Sequence, residues 1–123
     1  MNKKSVLIVE DDKWLAEQYA RVLKSAGYEP TISLHALAAI EVVDDVHPDA
    51  IILDVLLAGS TAFALIHELQ TYEDTGKIPI ILCTHLAGEL SLENLKPYGV
   101  RRIIDKSVMV PDDLVLAVKS VLL

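Results

Sequence analysis

The chain has 123 residues, 52% of them hydrophobic, and carries 18 acidic against 11 basic side chains for a net charge of −7. That is the size of one ordinary domain with ample material for a core, which excludes a disordered chain. An acidic balance whose only adjacent basic pairs are Lys3-Lys4 and Arg101-Arg102 argues against direct binding of nucleic acid.

No uncharged apolar run approaches the ~18 residues of a membrane span. The opening "MNKKSVLIVEDD" has an apolar patch too short for a signal-peptide core and no small-residue cleavage site after it, so it reads as part of the fold. A single cysteine, Cys83, excludes an internal disulfide and fits a reducing compartment. These features together predict a soluble cytoplasmic protein with no membrane association. Repeats, low-complexity segments and Gly/Ser linkers are absent, so one domain over 1–123 is expected.

"SVLIVE" (5–10) is rich in β-branched residues and predicts a buried strand. From Lys13 to Ala26, Leu15, Tyr19, Val22, Leu23 and Ala26 recur at helical spacing, and Gly27 supplies the stop. "EPTISL" predicts a short second strand, "HALAAIEVVDDV" a helix ended by His47-Pro48, and "AIILDV" (50–55) a third strand. Residues 61–72 repeat the helical pattern through Phe63, Leu65, Ile66 and Leu69, and "EDTGK" reads as the turn after it. "IPIILCT" (78–84) and "RRIIDK" (101–106) predict the last two strands, and "PDDLVLAVKSVLL" a helix opening on proline and two acids. Between those strands, Gly88 and Pro97 confine any helix to roughly 89–96, so a short or irregular fourth helix is expected.

Strand and helix thus alternate five times. Continuous apolar strands joined by helical crossovers imply an α/β fold, a parallel sheet covered on both faces, with ligands beyond the carboxyl ends of its strands. At those ends stand Glu10-Asp11-Asp12 on strand 1, Asp54 on strand 3, Thr84 on strand 4 and Lys106 on strand 5. Acids side by side repel, and a divalent hard cation such as magnesium relieves the conflict while bridging to phosphate. A lysine adds a point charge for phosphate and a threonine a hydroxyl donor. Singly, each has a plainer reading: acids after a first strand often cap the next helix, and a strand-end threonine is usually structural. Jointly they suit phosphoryl chemistry with Asp54 as nucleophile.

"LIVEDD", "PDAIILDVLLAG", "IPIILCT" and "IIDK", with Thr84 thirty residues after Asp54 and Lys106 twenty-two after Thr84, resemble the four motifs of response-regulator receiver domains, the phosphoacceptor modules of two-component signalling. The resemblance covers nearly the whole chain and implies a flavodoxin-like, doubly wound five-stranded sheet of order 2-1-3-4-5. It further implies that Asp54 takes a phosphoryl group from a histidine kinase or phosphotransfer protein, that Thr84 hydrogen-bonds that group and that Lys106 pairs with it. Asp11 would bind Mg²⁺ directly and Glu10 through water, with Asp54 and the carbonyl of Leu56 completing the ligands. A downstream protein would read the change, the chain acting as a monomer or weak homodimer. Any catalysis would be confined to its own aspartyl phosphorylation and dephosphorylation.

Four places depart from the family pattern. Ile103 stands where an aromatic usually reorients as the threonine moves, and Ser107 where a proline usually follows a cis bond. Because a cis bond costs ~2.5–4 kcal/mol before a non-proline residue, a trans bond and a reshaped loop are expected at Ser107. His85 replaces a small residue, either crowding the site mouth or standing as an ordinary exposed ring. "LAGSTAF" keeps Gly59 but loses the usual loop proline. These departures support a second reading, a receiver-like interaction scaffold with little switching, and on either reading little movement is expected across residues 98–120.

A dehalogenase-type phosphatase would need an acid two residues after the nucleophile, where Leu56 stands. A corrinoid-binding domain fails as well, since Cys83 occupies the place of its required Asp. His35, His47 and His67 show no ligand spacing and read as surface residues, and Cys83 as a core thiol. Trp14 is either exposed beside the site or laid over its helix.

Overall fold

The computed structural model describes residues 3–55 and 62–122. Five strands, β1 (Ser5–Val9), β2 (Glu29–Ser33), β3 (Ala50–Leu53), β4 (Ile80–Thr84) and β5 (Val100–Asp105), form one parallel sheet of order β2-β1-β3-β4-β5. Around it lie α1 (Lys13–Ser25), α2 (Ala36–Val46), α3 (Ala62–Gln70), the single turn α4 (Glu73–Gly76), α5 (Leu92–Leu95) and α6 (Pro111–Val121). This is the flavodoxin-like arrangement that the sequence implied.

Strand geometry explains why the central strands read as unbroken apolar runs. Side chains alternate between faces, and here both faces are covered. Leu7, Val9, Ile51, Leu53, Ile80 and Leu82 point to one side and pack with Ala39 and Val43 of α2 and Leu65 and Leu69 of α3. Val6, Ile8, Ile52, Ile81 and Cys83 point to the other, against Ala16, Tyr19 and Leu23 of α1 and Leu114 and Val118 of α6. Each of these strand side chains is at most 2% exposed, and fully burying one contributes roughly 1.5–3 kcal/mol.

The edges are marked by other chemistry. Pro30 lies in β2, which pairs only with β1, so its missing N–H costs no ladder bond on the open side. Arg101 and Arg102 are exposed on β5 at the opposite edge, where charge discourages pairing with another sheet.

Element ends follow local rules. Asp12 accepts the N–H of Leu15 at 3.1 Å and caps α1, whose far end stops where Gly27 adopts φ 96°, a backbone conformation natural to glycine. Pro111 opens α6, and the carboxylate of Asp113 accepts the N–H of Val110 at 2.9 Å. "EDTGK" is more than a turn. The Gly76 N–H reaches the Tyr72 carbonyl at 2.9 Å, and the buried Thr75 hydroxyl donates to Leu69 at 2.6 Å, fixing one helical turn. Between β4 and β5 the chain is irregular as expected, with 3₁₀ turns at Ala87–Glu89 and Lys96–Tyr98 flanking α5.

Candidate active site at the carboxyl edge

The ladder continues past the strand ends and sets the spacing of the polar residues. Glu10 N–H donates to Ser33 at 3.2 Å, Asp54 N–H to Val9 at 3.3 Å and Lys106 N–H to Thr84 at 3.0 Å. One residue of bulge in β5, between the pairs Ile80–Val100 and Ile81–Arg102, places Thr84 opposite Asp105 and Lys106 directly beyond it. The side chains of Glu10 and Lys106 and the whole of Thr84 are buried, and Asp54 is only 7% exposed, while Asp11 is exposed.

The ammonium of Lys106 lies between two carboxylates. It donates to Asp54 Oδ2 at 2.6 Å and to Glu10 Oε1. Glu10 also accepts the Asp12 N–H at 3.1 Å through its other oxygen. Burial raises the Glu10 carboxyl above its ordinary value, and the lysine opposes that shift without cancelling it. Burial alone would lower Lys106, but its bonds to Asp54 and Glu10 outweigh desolvation and raise it, so the lysine stays charged at neutral pH.

Glu10, Asp11 and Asp54 each present a carboxylate oxygen, all within 4.8 Å of one another. Two buried acids, one exposed acid and a single lysine leave negative charge in excess. An all-oxygen donor set of this kind fits a hard divalent cation that keeps some of its waters. The structure therefore brings together Glu10, Asp11, Asp54 and Lys106, with Thr84 on the neighbouring strand end. Leu56 and Gly59 lie outside the described residues.

Other residues singled out in the sequence resolve more plainly. Asp12 caps α1. His35, His47 and His67 are exposed, and His47 closes α2 in the left-handed region at φ 51°. Trp14 is 65% exposed. Cys83 is buried with its Sγ 3.8 Å from the Tyr19 hydroxyl and 3.4 Å from Met109 Sδ, and burial pushes its thiol up to about 11. Such a thiol is inert at neutral pH. Among the described residues no peptide bond is cis, so the Lys106–Ser107 bond is trans, as Ser107 led us to expect. Ile103 is partly buried and joins the core on the α2–α3 side.

Two features escaped the sequence. Asp105 accepts the Ser107 N–H at 2.8 Å, and His85 Nδ1 lies 3.1 Å from Ser107 Oγ. The second joins residues 22 apart, and neither pattern nor spacing signals it.

The chain has counterparts among known proteins. A family model described as the response regulator receiver domain matches residues 6–119. The polar-differentiation response regulator DivK of Brucella ovis is 29% identical over 108 residues, covering 88% of each chain. The signal receiver domain of a signal transduction histidine kinase from Syntrophus aciditrophicus superposes with a TM-score of 0.80 at 29% identity, covering 97% of this chain and 89% of that one. The chemotaxis response regulator CheY4 of Vibrio cholerae, at 23% identity and a TM-score of 0.84 over 98% of this chain and 99% of its own, shares the fold.

Proposed function

Because the chain belongs to the response regulator receiver domain family of two-component signalling, we propose that Asp54 is its phosphoacceptor and that a histidine kinase or phosphotransfer protein is the donor. The single observation that carries this is the buried Asp54 carboxylate, held at 2.6 Å by Lys106 within an acidic group able to hold a cation. An Asp54 oxygen attacks phosphorus, the bond to the donor's imidazole nitrogen breaks, and the imidazole leaves with its electron pair and takes up a proton. An acyl phosphate on Asp54 results.

Glu10, Asp11 and Asp54, with the Leu56 carbonyl, would hold Mg²⁺. When bound, the cation neutralises phosphoryl oxygens and fixes their direction. Lys106, kept protonated by its carboxylate partners, offers the incoming phosphoryl group a full positive charge. Thr84 accepts the Leu86 N–H at 3.2 Å through its hydroxyl, which retains a proton to donate. Catalysis on this reading is limited to the chain's own phosphorylation and dephosphorylation, and the consequence is altered binding of a downstream protein. A cytoplasmic place of action belongs to this reading; among the described residues no helix is long and apolar enough to cross a membrane.

Incubation with a small phospho-donor and Mg²⁺, followed by intact-mass measurement, tests the proposal. Wild type should gain one phosphoryl group and Asp54→Asn none; equal incorporation removes Asp54 from its role. Ile103, a partly buried aliphatic residue packed against the core, favours a second reading in which the domain is an interaction scaffold with little or no phosphorylation-dependent switching. An unlabelled wild type in the same assay would select it.

A further inference from the structure

Two of the chain's departures from the family pattern meet in space. His85 follows Thr84 and Ser107 follows Lys106, and their side chains pair at 3.1 Å. The backbone bond from Lys106 N–H to the Thr84 carbonyl at 3.0 Å ties the two strands at that level. Beyond it β4 runs into the loop towards Ala87 and β5 into a turn, and the His85–Ser107 pair spans the gap between those segments.

Ser107 is itself held. Its N–H donates to Asp105 Oδ1 at 2.8 Å, while the N–H groups of Val108 and Met109 donate to the Asp105 carbonyl at 3.3 and 3.1 Å. Proline here would have neither N–H nor hydroxyl. Serine has both, one used to close the turn and the other presented to His85. A small residue at position 85 would leave that hydroxyl without this partner. On the other strand, the Leu86 N–H donates to Thr84 Oγ1 at 3.2 Å, so the two residues that flank His85 in sequence are themselves bonded.

We propose that His85 and Ser107 are positioning residues, a clasp that holds Thr84 and Lys106 at the spacing needed to receive the phosphoryl group in a turn that lacks proline. The clasp rests on the reading of Asp54 as acceptor with Thr84 and Lys106 as its phosphoryl partners. Both side chains are exposed, so the effect is modest. Losing one such hydrogen bond should weaken phosphoryl binding by about three- to fivefold.

The test measures the affinity of beryllofluoride, with Mg²⁺, for wild type, His85→Ala, Ser107→Ala, the double variant and Ser107→Thr, alongside thermal unfolding. Each alanine variant should lose about three- to fivefold, the double no more than either single, and Ser107→Thr should bind as wild type does. Long-range ¹⁵N spectra of the free protein should show the His85 Nδ1 resonance displaced in Ser107→Ala and restored in Ser107→Thr. Unchanged or tighter binding in the alanine variants, additive losses, or an unmoved His85 resonance overturns the clasp while leaving Asp54 in its role. Failure of wild type to bind the mimic overturns the acceptor reading, and the clasp with it.

Discussion

Lys106 carries the electrostatics of the carboxyl edge, because Glu10 and Asp54 are both buried and both bonded to it. Removing one member of such a group strands the others, at a cost of roughly 3–5 kcal/mol. Lys106→Met should therefore destabilise the metal-free protein by about that amount. Added Mg²⁺ should recover more stability in the variant than in wild type, and urea unfolding with chelator or metal measures both. Glu10 adds a pH dependence of defined sign. Its carboxyl is raised from 4.5 in the folded state, so the native protein holds that proton more tightly than the unfolded chain does. The resulting stability is full below 4.5 and lost as pH rises through the raised value. In metal-free solution the stability of wild type should thus fall relative to Glu10→Gln across that window, and a parallel course for the two proteins would contradict it. These residues were legible in the sequence because each closes an apolar run at the same end of its strand. The His85–Ser107 contact was not, since it depends on a turn shaped by Asp105 and on a bulge in β5.

On β1's exit the cap of α1 and a candidate metal ligand stand side by side and can be separated. Asp12 caps α1 through the Leu15 N–H, whereas Asp11 contributes to the acidic group. Asp12→Ala should cost about 1 kcal/mol of stability and leave phosphorylation of Asp54 intact. Asp11→Ala should instead weaken Mg²⁺ binding without lowering the stability of the metal-free protein, since it relieves repulsion. Fluorescence of Trp14, exposed and three residues after Asp11, offers the titration signal. The strands were readable because burial on both faces demands uninterrupted apolar residues, as in "AIIL" and "IILCT". α4 was not, because "EDTG" carries turn-forming residues and its single turn is fixed by a buried hydrogen bond from the Thr75 hydroxyl back to the Leu69 carbonyl at the end of α3. The stretch from Ala87 to Tyr98 was readable as irregular for a local reason, the punctuation by Gly88 and Pro97.

For the whole molecule, the strands leading to the carboxyl edge are packed on both faces, and any switch must be expressed against that packing. A phosphoryl group shifts an equilibrium only by its differential affinity for the two arrangements. Ile103 lies partly buried where the family pattern has a mobile aromatic, and a branched aliphatic there has few alternative rotamers. Leu114 and Val118 anchor α6 to the sheet. Beryllofluoride should accordingly shift amide signals strongly at Asp54, over 84–86 and over 105–109, and weakly over α6. Sequence alone pointed to weak movement throughout 98–120; the clasp brings the Lys106 turn into the responding set. A partner bound at α6 should distinguish the two forms by about tenfold, or ~1.4 kcal/mol. Large concerted shifts through α6 would show a full switch working without the aromatic.

On the proposed function, the buried carboxylate at the end of β3 becomes an acyl phosphate. Borohydride reduces an aspartyl phosphate to homoserine, so trapping after incubation with phospho-donor and Mg²⁺, followed by peptide mass mapping, reads the modified position directly. Homoserine should appear at position 54, dependent on Mg²⁺ and lost in Lys106→Met and Asp54→Asn. A peptide containing Asp54 that stays unmodified while phosphate is incorporated elsewhere, at Asp11 or His85 for example, would contradict it.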